Sequence, residues 1–103
     1  MKIPTSIVIK GRRYKIHPLT QRASDMHKIE GDCSYTLKRI RVHTTNKDEA
    51  AHTLLHEVLH AVFHEYGINL QYEEHVVRKL EDGLMQVIRD NPKMIAYFIG
   101  DHK

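Results

Sequence analysis

The stretch TLLHEVLHAVFHEYG, residues 53–67, holds the side chains best suited to chemistry in this chain. Within it, His56 and His60 bracket Glu57 in the pattern HEVLH. On a helix turning about 100° per residue, positions four apart lie about 40° apart around the axis and one turn apart along it. Imidazoles so placed can both reach one ion, each through a nitrogen about 2.0 Å away. A carboxylate next to the first imidazole lies within reach of a water on that ion without being a ligand. A metal lowers the pKa of its water to about 7, and the carboxylate can then take the proton. The expected roles are therefore metal ligand for His56 and His60 and general base for Glu57.

The pattern fixes only three residues in a chain with 9 histidines, so its context carries weight. The competing reading is an amphipathic helix with solvated histidines. Leu54, Leu55, Val58, Leu59 and Val62 gather on an arc roughly opposite Glu57, leaving His56, Glu57 and His60 along a polar edge. His52, His56, His60 and His64 are each four apart, but only the middle pair encloses a glutamate. His56 and His64 are about 12 Å apart along the helix, too far to share an ion, so His64 is not expected to be the third ligand. His52 is expected to be exposed. A metzincin arrangement needs Gly at position 63 and His at 66; the chain has Phe63 and Tyr66, which excludes that class.

Catalytic zinc usually keeps three protein ligands and one open position. The third ligand is expected from the following segment, YEEHVVRKLEDGL, folded back by the short 67–71 connection. Glu73 and Glu74 both precede the apolar stripe of Val77, Leu80 and Leu84, and either can face the paired histidines. Their bland alternative is to act as acids favoured by a helix N-terminus. His75 is a weaker candidate, and Glu81 and Asp82 are expected to be solvated.

These side chains need two helices to position them. Asn46 can cap the first, with Asp48 and Glu49 in its first turn, and Gly67 supplies a left-handed residue after Tyr66 on which Ile68 can pack back. The second fits residues 72–90 and stops at Asn91-Pro92. Residues 93–100 suit a short helix or a strand, and the apolar tail MIAYFI is a candidate interface. The first half leans to strands. Residues 6–10 and 13–17 flank a turn at Gly11-Arg12, and residues 32–36 and 39–43 form a second pair. Ile40 and Val42 alternate with Arg39, Arg41 and His43, which predicts one buried face. Residues 19–30 fit either a loop or a short helix.

A chain of 103 residues makes one α+β domain, β-rich over 1–45 and helical over 46–103. Its charged content of 28% and hydrophobic content of 41% argue against disorder. No apolar run approaches the roughly 20 residues that span a bilayer, and the N-terminal stretch makes a poor signal peptide. The lone Cys33 excludes an internal disulfide and suits a reducing, cytoplasmic setting; it reads as an inert strand residue. The net charge of +3 comes with basic clusters at Lys10, Arg12, Arg13 and Lys15 and at Lys38, Arg39 and Arg41. No base-reading motif accompanies them, so nucleic acid is not an expected partner.

Taken together, TLLHEVLHAVFHEYG followed by EEHVVRKLEDGLMQVIRDNP resembles the small gluzincin-type zinc metallopeptidase domains of phages and prophages, relatives of the ImmA/IrrE group. The likeness extends loosely to RIRVHTT. It implies a minimal zincin-like fold, in which a small antiparallel sheet precedes the HExxH helix and a second long helix bearing a glutamate ligand. It also implies zinc as cofactor, His56, His60 and Glu74 as its ligands, Glu57 as catalytic base, a peptide or protein substrate and a bacterial host's cytoplasm. Glu73 stays the alternative third ligand. Where the group continues into Ala-Asn, this chain has Val77-Arg78. The rival expectation is a catalytically inactive zinc-binding module for protein interaction, in which His64, His75 or Cys33 completes the coordination.

Overall fold

The computed structural model describes residues 2–27, 29–43 and 46–100. Thr44 and Thr45, which closed the RIRVHTT stretch, lie outside the described residues. The elements are β1 (Ser6–Ile9), β2 (Arg12–Pro18), α1 (Gln21–His27), β3 (Gly31–Ser34), β4 (Arg39–Val42), α2 (Lys47–Glu65), α3 (Glu73–Asp90) and α4 (Pro92–Phe98). The α+β expectation holds.

The first turn sits one residue earlier than the sequence suggested. Ile9 pairs with Arg12, leaving Lys10 and Gly11 as the two central residues. Their φ angles of 50° and 76° are the pair a type I′ hairpin turn requires, and Gly11 adopts its angle without steric cost. Residues 21–27 resolve as a helix whose start is tied by Thr20, with Oγ1 accepting from the Ala23 amide at 3.1 Å.

The sheet is mixed rather than purely antiparallel. Its order is β1-β2-β4-β3, with β2 and β4 parallel and the two hairpin pairs antiparallel. Composition explains the swap. Strand β4 brings Ile40 and Val42, both fully buried, whereas β3 reads Gly-Asp-Cys-Ser and cannot fill a central position. The apolar strand therefore takes the free edge of β2, and β3 is left outermost.

Helix α2 begins as its cap predicts, with Asn46 Oδ1 accepting from the amides of Asp48 and Glu49 at 3.0 and 3.1 Å. It ends in a Schellman motif: the Ile68 amide donates to Phe63 O and the Gly67 amide to His64 O, with Gly67 at φ 67°. Residues 92–98 form α4, which decides the helix-or-strand alternative, and Pro92 sits at its start, where a missing N–H costs nothing.

α2 is packed on two sides. One side joins Ile9, Tyr14, Ile16, Ile40 and Val42 of the sheet through Ala50 and Ala61. The other meets Val77 of α3 through Leu59 and Phe63. Its C-terminal end is pinned by Glu65, whose side chain is 3% exposed and accepts from Tyr14 Oη at 2.9 Å and Lys38 Nζ at 2.9 Å, with Arg12 Nε at 3.1 Å. The Lys38 hydrogen bond, helped by Tyr14, holds the Glu65 carboxyl below its usual range. Arg12 and Lys38 of the basic clusters are thus engaged within the fold, as are Lys10 on the Glu65 main-chain oxygen, Arg13 on Ser6 and Arg41 on Asp32. Leu80, Leu84, Val87 and Ile88 of α3 stay partly exposed, as do Tyr97, Phe98 and Ile99. Among the described residues no helix is long and apolar enough to cross a membrane.

Candidate metal centre

A cleft of about 800 Å³ opens between α2, the start of α3 and the outer strand β3. His56 and His60 project into it from successive turns of α2, with ring centroids 5.0 Å apart. Facing them from the first turn of α3 is Glu74. Its Oε1 lies 2.7 Å from His56 Nε2, and its Oε2 lies 2.9 Å from His60 Nε2. One ligand atom from each of these three residues falls within 4.8 Å of the others, a spacing that can hold a metal ion.

The remaining ring nitrogens are also held. His56 Nδ1 is 2.9 Å from Glu81 Oε1, and His60 Nδ1 is 2.5 Å from Glu73 Oε2. A carboxylate on Nδ1 favours a proton on that nitrogen and leaves Nε2, which faces Glu74, as the atom able to coordinate a metal. With carboxylates on both ring nitrogens, His60 also holds its proton more strongly. Burial, the largest influence, pulls its pKa down, but hydrogen bonds to Glu73 and Glu74 carry it above the ordinary value. Glu74 shifts the other way. Burial opposes its charge, yet the charge of His56 and bonds to Arg78 and His60 bring its carboxyl below the usual value. The donor set of two imidazoles and one carboxylate suits zinc.

The structure brings His56, His60 and Glu74 together. It places Glu73, the alternative ligand, behind His60 instead. Two other expectations are corrected. Glu81 is not solvated: its side chain is 16% exposed and spans His56 and His52, the latter at 3.0 Å. His52, expected to be exposed, is accordingly half-buried. The sequence did carry a signal for Glu81, which stands seven residues, or two turns, beyond Glu74 and so shares its face of α3. His64 is exposed and stacks on Tyr35 with centroids 4.0 Å apart, and His75 is exposed.

Glu57 lies off the polar edge that its spacing suggested. It is 8% exposed, at the seam where α2 passes over β3, yet it lines the cleft. Gly31 creates that seam. A Cβ there would lie 2.5 Å from Thr53 Cγ2 and 2.9 Å from Arg41 O, so only glycine lets β3 come this close. Among the described residues nothing hydrogen-bonds the Glu57 carboxylate. Burial pushes its pKa up, against the opposing charges of His56 and His60. Its oxygens reach the cleft, since among the described residues Arg39 Nε is the wholly buried side-chain polar atom left without a partner.

Comparison with protein-family models, curated proteins and solved structures found no match.

Proposed function

We propose that this protein is a zinc-dependent peptidase of minimal size, with His56, His60 and Glu74 as metal ligands and Glu57 as general base. Kinship with the gluzincin-type ImmA/IrrE relatives belongs to the same proposal. The observation that carries it is the paired arrangement of the histidines. Both Nε2 atoms converge on one carboxylate, each Nδ1 is held by a separate carboxylate, and an unpartnered glutamate stands beside them.

Zinc held by His56, His60 and Glu74 would supply a Lewis acid able to polarise a peptide carbonyl and to lower the pKa of a water to about 7. Glu81 and Glu73 lock the two imidazoles in the tautomer that leaves Nε2 free to coordinate. Glu57, lifted in basicity by burial, accepts the proton of the attacking water and returns it to the leaving nitrogen. An inactive interaction module would complete the coordination from the chain. His64 and His75 are turned to solvent or to Tyr35, and Cys33 lines the cleft outside the ligand group, which favours the enzyme.

Protein purified without a nickel column is expected to carry close to one zinc, and less than about half an equivalent counts against the site. Glu57→Gln is expected to keep the metal while losing about 10²–10⁴ in kcat on a cleaved peptide. Loss of zinc in that variant, or full activity, contradicts the assigned role.

A further inference from the structure

The cleft and the rest of the chain have opposite charge. The protein has 16 Lys and Arg against 13 Asp and Glu. Yet the described residues lining the cleft include Glu30, Asp32, Glu57, Glu73, Glu74 and Glu81, and Arg78 is the one Lys or Arg among them. Among the described residues, setting a dication, Arg78 and the Arg41 that forks onto Asp32 against these six carboxylates leaves the acids in excess. Glu57, nine-tenths buried and lining the same space, makes no hydrogen bond with the described residues.

The acids differ in what they are free to do. Glu73, Glu74 and Glu81 are committed to histidines. Asp32 is forked by Arg41. Glu30 lines the cleft just before the outer strand, with its side chain 65% exposed and, among the described residues, His43 Nδ1 at 3.2 Å. A cation arriving there meets a carboxylate that water already solvates, so little desolvation is lost on contact. Low-dielectric walls focus the field of the remaining acids on the same opening.

We propose that the cleft selects peptides with a positive group beside the scissile bond, a Lys or Arg side chain or a free amino terminus, and that Glu30 helps receive it. This rests on the peptidase reading. The test uses zinc-loaded protein and acetylated, amidated quenched-fluorescence peptides that differ only in carrying Lys, Gln or Glu, plus the Gln peptide without its acetyl cap. Cleavage is read as kcat/KM on wild type, and binding as Kd on Glu57→Gln. The Lys peptide is expected to exceed the Gln peptide about tenfold at low salt, with the gap closing as ionic strength rises toward about 0.5 M. Glu30→Gln is expected to reduce the Lys-to-Gln ratio about threefold. A gain for the uncapped peptide as large as that for Lys assigns the site to amino termini; no gain assigns it to side chains. Equal cleavage of all peptides overturns the charge selection and leaves the peptidase standing. Graded binding without any cleavage does the reverse, and neither binding nor cleavage overturns both.

Discussion

Removing the carboxylates behind the histidines offers a sharp test of how the centre is built. Glu81→Gln and Glu73→Gln keep size and a hydrogen-bonding oxygen while deleting the charge that holds each Nδ1–H. The bonds affected are 2.9 Å at His56 and 2.5 Å at His60, and all four side chains are 30% exposed or less. Charge-assisted bonds of this kind contribute about 1.5–3 kcal/mol, and outer carboxylates of metal sites are typically worth about 10- to 100-fold in affinity. At about 1.4 kcal/mol per factor of ten, the two ranges agree. Each single variant is therefore expected to weaken zinc binding about 10- to 100-fold. The two carboxylates serve different rings, so the double variant is expected to lose about 10²–10⁴. Glu74→Gln, which removes a ligand outright, is expected to lose more than either single variant. Competition with a chromogenic chelator at fixed pH gives all four affinities. An ordering in which Glu73→Gln costs more than Glu74→Gln would falsify the assignment of Glu74 as ligand and Glu73 as support.

Gly31→Ala is expected to cost about 1–3 kcal/mol, because the Arg41 carbonyl 2.9 Å from the new Cβ is backbone and cannot swing aside. In a domain this size that lowers Tm by about 5–20 °C in a thermal melt; an unchanged Tm would mean β3 does not approach α2 so closely. The Cys33 thiol is pushed up to about 12 by burial first and then by Glu57 and Asp32. With a free thiol near 8.5, iodoacetamide at pH 8 is expected to label the folded protein about a thousandfold more slowly than the urea-unfolded chain, and comparable rates would refute that environment. Glu65 gives a pH signature. Its folded carboxyl, held down mainly by Lys38, loses its proton at lower pH than the ordinary 4.5, so the unfolded state binds more protons in that window. The stabilisation is complete above that ordinary value and is lost as pH falls through the folded one. Urea midpoints across this range should slope less in Glu65→Gln, and identical slopes in variant and wild type would remove Glu65 from the acid response.

What the sequence determined by itself is local. The Asn46 cap, the Gly67 stop and the break at Asn91-Pro92 each work within a span of about five residues, so each was legible. The same holds for HEVLH, because helical geometry alone aligns His56 and His60 on neighbouring turns. Tertiary packing decided the rest. β4 displaced β3 from the middle of the sheet because Ile40 and Val42 could fill a buried layer and Gly-Asp-Cys-Ser could not, which turned an expected antiparallel sheet into a mixed one. Glu73 and Glu74 were competing candidates on one helix, and Glu81 was set apart from them as solvated. Their roles depend on the rotation and register of α3 against α2, which Leu59, Phe63 and Val77 set by burying together. Glu57 likewise moved from a predicted wet edge to a sheltered seam because Gly31 has no side chain to hold β3 away. A helix's periodicity orders its own residues around its axis, but which of them meets water depends on what lies across the interface.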